Sequence, residues 1–162
     1  MVTWNELWLF ALPAILCWAV ASLLSLRGER QKTVCLFAII GLLIFGSYIA
    51  SMWVSLKHPP MRTMGETRLW YSLFLPLVGL ITYSRWRYRW ILLFSTILST
   101  VFIAINILKP EIHSKTLMPA LQSPWFAPHV IIYMFAYATT GVAMLLSLWQ
   151  LCRKQEQMAA TD

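Results

Sequence analysis

RLWYSLFLPLVGLITYSR, residues 68–85, is the stretch on which the fold of this chain turns. Between its arginines, Leu69–Tyr83 carries no charged residue, but it reaches only about 22 Å at the helical rise, against a bilayer core of about 30 Å. Pro76 near its middle removes one helical hydrogen bond and favours a kink. Snorkelling of Arg68 and Arg85 or local thinning of the bilayer would close the gap. We read the stretch as a kinked membrane span. That reading sets the side on which every later segment lies.

Outward from it, four further apolar blocks are uncharged except for Glu6 at the edge of the first: Trp4–Leu26, Thr33–Leu56, Trp90–Leu108 and His129–Leu151. With 59% hydrophobic residues and a mean hydropathy of +0.66, the 162-residue chain is an integral membrane protein, not a soluble domain. The expected fold is all-α: a polytopic bundle of about five transmembrane helices forming one domain over residues 1–152. A short polar tail follows at 153–162. The first block lacks a basic leader and a small-residue cleavage site, so it reads as an anchor instead of a signal peptide.

The net charge of +7 is first a statement about topology, and nothing in it calls for nucleic acid. If all five blocks cross, eight cations share one side: Arg27, Arg30, Lys32, Arg85, Arg87, Arg89, Arg153 and Lys154. Five fall on the other: Lys57, Arg62, Arg68, Lys109 and Lys115. The positive-inside rule then places the N-terminus outside and the C-terminus inside. All three histidines, His58, His113 and His129, come to the outer face, which makes the outer loops the working surface.

Several chemistries lack their residues. No acidic residue lies deep in any span, so a carboxylate proton relay is absent. HExxH, GxSxG, a Walker loop and CxxCH are missing. Cys17, Cys35 and Cys152 have no CxxC spacing. Only Pro76 interrupts a central span, with no mirrored partner, which argues against a transporter.

Two outer features remain. Arg62, Glu66 and Arg68 read either as an interfacial helix with an i,i+4 ion pair or as cations placed for an anionic group such as a propionate. The second outer loop is long and proline-rich, and it delivers Pro128 and His129 to the first turn of the last helix, with Trp125 and Phe126 at the interface. Imidazole is a common metal ligand. Helical spacing from His129 leads to Tyr133, Tyr137, Thr140 and Met144, with Ala136 and Gly141 beside them. This small, polar stripe is expected to face other helices, and Ile131, Ile132, Phe135 and Leu146 to face lipid. Plain helix packing explains the stripe as well as a cofactor does.

LMPALQSPWFAPHVIIYMFAYA (117–138) resembles the segment leading into the outer histidine of the CcsA/ResC family, the haem-handling membrane proteins of System II cytochrome c synthesis. The shared residues are Leu117, Pro119, Leu121, Gln122, Ser123, Trp125 and His129. PPMRTMGETRLWYS (59–72) is similar to the same family's outer loop before a span. The chain as a whole resembles the first half of a longer protein.

The resemblance implies a membrane subunit that presents haem b transiently on the outer face of the bacterial inner membrane, for attachment to an apocytochrome c. It implies His129 as an axial ligand to haem iron; Trp125 and Tyr133 beside it, and Arg62 and Arg68 as cations for the propionates, are candidate haem-binding residues by residue type, a role the match itself does not assign to the arginines. The family's tryptophan-rich WWD loop is missing, since the only aspartate is Asp162. The second outer histidine is missing too. Either a second membrane subunit supplies both or the chain is a truncated product, and it is at most one part of a haem-attachment synthase. The alternative from the residues alone is a cofactor-free structural or assembly protein embedded in membrane lipid.

Overall fold

The computed structural model describes residues 4–113 and 125–159, and they form five α-helices with no strand. A 3-10 turn at Trp4–Glu6 leads into α1 (Leu7–Arg27), followed by α2 (Gln31–Leu56), α3 (Met64–Trp86) and α4 (Arg89–Leu108). A second 3-10 turn, Pro110–His113, precedes α5 (Phe126–Ala159). The expected all-α bundle is what the chain forms. α5 runs well past Leu151, so most of the polar tail has a helical backbone.

Among the described residues, four segments are long and apolar enough to cross a membrane: Trp4–Arg27, Gln31–Leu56, Arg89–Leu108 and Pro128–Arg153. The deciding stretch is different. α3 has 23 residues, roughly 34 Å at the helical rise, so it is longer than its apolar block by a turn at the start. A capping box makes that turn. The Thr63 hydroxyl accepts from the Glu66 amide at 3.2 Å, and the Glu66 carboxylate accepts from the amides of Thr63 and Arg62 at 3.1 and 2.6 Å. Glu66 thus meets the backbone of Arg62, not the guanidinium of an i,i+4 ion pair.

α3 is also the most enclosed helix, which explains how it tolerates Ser72, Pro76, Gly79 and Thr82. Pro76 cannot donate to the carbonyl four residues back, that of Ser72. The hydroxyl of Ser99, from α4, donates to that carbonyl at 2.5 Å. The orphaned acceptor is satisfied by a neighbouring helix, as a low-dielectric interior requires. Asn106 does the same further along, its Nδ2 donating to the Gly65 carbonyl at 3.2 Å.

The buried residues follow steps of three and four, the spacing of closely packed, gently crossing helices. They are Leu7, Ala11, Ala14, Trp18, Ala21 and Ser25 on α1, and Val34, Ala38, Gly41, Phe45, Tyr48 and Met52 on α2. On α3 they are Gly65, Leu69, Ser72, Pro76, Gly79 and Tyr83, and on α4 Leu92, Thr96, Ser99, Ile103 and Asn106. Small residues recur because membrane helices gain by close approach, not by hydrophobic burial. A Cβ on Gly79 would stand 2.7 Å from Ser95 Cβ, and one on Gly41 2.6 Å from the Trp18 indole nitrogen.

Consecutive helices are antiparallel, so the basic residues Arg27–Lys32, Arg85–Arg89 and Arg153 gather at one end of the bundle. The loop 57–63, the turn 110–113 and residues 125–129 lie at the other. At the basic end the Gln31 side chain donates to the Ser84 carbonyl at 2.7 Å. At the opposite end the Trp70 indole donates to the Pro60 carbonyl at 3.0 Å and fixes the proline loop.

α5 is peripheral and packs chiefly on α3, running parallel to it. Met134 and Ala138 are its buried hydrophobic side chains, and Phe135 meets Phe74 edge-on at 6.3 Å. Here the sequence reading of the faces is corrected in part. Ile131 and Leu146, expected to face lipid, are half-buried, while Ile132 and Phe135 are exposed as expected. The side chains of His129, Tyr133, Tyr137, Thr140 and Met144 are largely exposed, but His129, Tyr133 and Tyr137 line a groove against α3, and Tyr137 and Met144 line another against α3 and α4. The inner face is the apolar one because α3 offers Phe74 and Val78 there, not hydroxyl partners.

Candidate functional site

His129 stands in the first turn of α5, its amide donating to the Trp125 carbonyl at 3.3 Å. Its ring lies against Tyr133, with centroids 4.4 Å apart and planes 59° to one another. Tyr133 continues to Tyr137 at 5.9 Å. The ladder follows from sequence spacing alone, since residues four apart share a helix face. Pro128 before it occupies a position where a missing N–H costs nothing.

The second wall comes from α3. Thr67 and Tyr71, again four apart, face the ladder and close an open groove of 370 Å³ with His129, Tyr133, Met134 and Tyr137. Tyr71 is held by stacking on Phe102 of α4 at 5.9 Å. Through Tyr71 and Tyr137 the groove adjoins a second, apolar one of 340 Å³ that runs deeper between α3, α4 and α5 past Leu75, Phe94 and Leu98. Each is of the size that small ligands occupy, about 300–1,000 Å³.

The other candidates fall outside this groove. Trp125 is 81% exposed and does not line it. Arg62 is exposed on the proline loop. Arg68 sits next to Thr67 but is turned from the groove, half-buried, with Nη1 out of solvent and without a hydrogen-bond partner. His58 turns its Nδ1 onto the Pro59 carbonyl at 3.0 Å. Leu117, Pro119, Leu121, Gln122 and Ser123 lie outside the described residues. Thr67, Tyr71 and Met134 were not singled out from the sequence. The i,i+4 pair Thr67–Tyr71 was visible there, but nothing in it said which helix it would face.

Chemically the site offers one imidazole at the mouth of an aromatic groove. Among the described residues, no three His, Cys, Asp or Glu side chains converge to hold a metal ion. One imidazole beside aromatic faces can donate to a metal, hydrogen-bond or pack on a flat ligand.

Residues 61–161, the part holding α3, α4 and α5, match the model of the cytochrome C assembly protein family. Among curated proteins, cytochrome c biogenesis protein CcsA of Hordeum vulgare is 33% identical over 123 residues, 74% of this chain and 36% of that protein. The CcsA of Zea mays is 32% identical over 133 residues, covering 79% and 40%, and that of Marchantia polymorpha 29% over 129 residues, covering 77% and 38%. The chain therefore spans well under half the length of these relatives. No solved structure matches it. With five helices, a membrane-spanning composition and the matched segment carrying His129, the chain belongs to the cytochrome c assembly protein family.

Proposed function

We propose that this chain is a membrane subunit that holds haem during cytochrome c maturation, with His129 as an axial ligand to the iron. The observation that carries the reading is the position of His129, at the mouth of the groove walled by Tyr71, Tyr133 and Tyr137. Bound haem would supply the porphyrin edge to which the CxxCH cysteines of an apocytochrome c attach. The chain's own residues bind and orient. His129 donates a ring nitrogen, Tyr133 limits the tilt of that ring, and the tyrosine walls exclude water from one side. Trp125 and the guanidinium groups of Arg62 and Arg68 lie outside the groove, so in this reading they reach the bound ligand only by turning toward it, Arg62 and Arg68 as cations for the propionates.

The described residues bring one imidazole to the groove, so in this reading the other histidine and the tryptophan-rich loop come from elsewhere in the assembly, on a second membrane subunit or on the remainder of a longer chain. The place of action is the outer, periplasmic face of a bacterial inner membrane, with the N-terminus on that side, as the thirteen cations divide.

The test is the reduced-minus-oxidised absorbance of the chain purified in mild detergent with such a partner. A haem b spectrum is expected, with its loss in His129→Ala and its return on adding imidazole. Imidazole rescue separates ligation from misfolding. Haem bound equally by wild type and His129→Ala would sink the assignment.

The outward tyrosines also favour a second reading, a cofactor-free assembly protein. In that case Tyr137→Leu weakens the complex and His129→Ala changes nothing.

A further inference from the structure

Beyond Tyr71 and Tyr137, the apolar groove of 340 Å³ continues toward the basic end of the bundle. α3 floors it with Leu75, and α4 and α5 wall it with Phe94, Leu98 and Leu145. Its lining is almost wholly hydrocarbon. The Ser95 hydroxyl, which reaches it, already donates to the Leu92 carbonyl at 2.9 Å. Phe94 and Met144 on its rim are exposed, so the slot opens sideways between the two helices. Gly141 widens the α5 wall, since a Cβ there would meet nothing within 4 Å.

At the basic end the slot gives way to aromatic rings. Leu145, Trp149 and Arg153 follow at steps of four along α5, and Ile91 of the slot adjoins Trp90 on α4. Trp149 bridges the two helices there, its ring 5.5 Å from that of Tyr88 and 6.3 Å from that of Trp90. The Trp90 indole N–H lies out of solvent without a hydrogen-bond partner among the described residues, although a buried indole usually finds one. Cations come next. The Arg153 guanidinium lies over Trp149 at 5.4 Å, and Arg87, beside Tyr88, is exposed. Arg89 serves elsewhere, its guanidinium turned to Gly28 in the α1–α2 turn. The stretches 84–90 and 149–153 hold no acid, and the next two charges, Lys154 and Glu156, cancel.

The order is thus a hydrocarbon slot, an aromatic belt with an unused donor, then cations. A phospholipid presents the same order: an acyl chain, ester carbonyls that only accept, then a phosphate. Tryptophan and tyrosine rings sit at head-group level, and basic pockets between membrane helices take anionic head groups. We propose that this slot binds one anionic phospholipid. An acyl chain lies between α4 and α5, an ester carbonyl accepts from Trp90 Nε1, and the phosphate meets Arg153 and Arg87. A transmembrane helix suits the slot less, because close approach needs small residues and the walls carry Phe94, Leu98 and Leu145. The propionates of a haem would find no cation lining it. Tyr71 and Tyr137 line both the slot and the His129 groove, so the lipid chain also sets the spacing on which that groove depends.

The experiment is native mass spectrometry of the delipidated chain in mild detergent, incubated with equal amounts of phosphatidylglycerol and phosphatidylcholine. Wild type is expected to retain a single phosphatidylglycerol, preferred several-fold over phosphatidylcholine. Arg153→Gln removes the preference, and Trp90→Phe weakens retention of both lipids. Arg27→Gln takes a cation from the same end of the bundle but away from the slot, and changes nothing. Gly141→Leu and Leu98→Trp fill the slot from opposite walls and abolish retention with helical circular dichroism unchanged; should either fail to fold, the contrast between Arg153 and Arg27 decides. Equal losses in Arg27→Gln and Arg153→Gln mean diffuse attraction to a basic surface and overturn the proposal. So does lipid retained by a folded slot-filling variant, or phosphatidylcholine retained as well as phosphatidylglycerol. Displacement of the lipid by excess inorganic phosphate reveals a site for free anions and overturns it too.

Discussion

α3 and α5 run parallel and carry comparable sets of small and hydroxylated residues, yet one is enclosed and the other stands at the edge. Along α3 the proline and the small residues are answered inside the chain, while Arg68 Nη1 is not. The Ser72 carbonyl freed by Pro76 receives the Ser99 hydroxyl, Gly79 admits Ser95, and Gly65 accepts from Asn106. Along α5 the apolar face is answered by Phe74 and Val78, His129, Tyr133 and Tyr137 stand across an open groove from Thr67 and Tyr71, and Ala136, Thr140 and Ser147 are exposed among the described residues. The difference teaches that enclosure, not composition, separates the two helices. α1 to α4 pack on one another, and α5 lies against α3 at the edge of the bundle with a histidine in its first turn.

The largest expected effect breaks the comparison if it fails. Gly79→Leu forces α4 away from α3, because a Cβ alone would already stand 2.7 Å from Ser95 Cβ. Overpacking of this kind costs about 1–3 kcal/mol, and the larger side chain puts this case at the upper end. Ala143→Leu adds the same bulk at an exposed position of α5, at the rim of an open groove beside Val78 and Trp86, and should leave the stability of the isolated chain within about 0.5 kcal/mol. Unfolding of both variants in mixed micelles, followed by helical circular dichroism, makes the comparison. Equal losses would mean that α5 is enclosed after all.

Much of this contrast was legible in the sequence, and the remainder was not for physical reasons. The apolar blocks set five helices because backbone groups in a bilayer must bond within their own segment. The true start of α3 at Met64 was missed because Glu66 was read with Arg62, as an i,i+4 ion pair or an anion site, although T-x-x-E ahead of an apolar run is also a capping box. His129 was legible through Pro128 and its place at the head of a span. Which way it faces was not. Helical spacing separates two faces of α5 but cannot say which neighbour takes which, and the apolar face of Met134 and Ala138 proved to be the inner one. The groove wall of Thr67 and Tyr71 lies on another helix, beyond the reach of any local pattern.

The smallest effect is the sharpest, because it concerns single hydroxyls in matched settings. Ser99→Ala leaves the Ser72 carbonyl without a donor, at a cost of about 1 kcal/mol, and nearer 0.6 if membrane interiors set the scale. Thr140→Val removes a hydroxyl that bonds only to its own helix, to the Ala136 carbonyl, and should change stability by less than that. A double-mutant cycle tests the cause. Pro76→Ala restores an amide able to reach the Ser72 carbonyl, so Ser99→Ala should cost less in that background than in the wild type. If the two substitutions add without coupling, the Ser99 hydroxyl is not standing in for the amide that Pro76 lacks. α3 would then owe its tolerance of Pro76 to packing alone, and the enclosed helix would differ from the open one only in its neighbours' shapes.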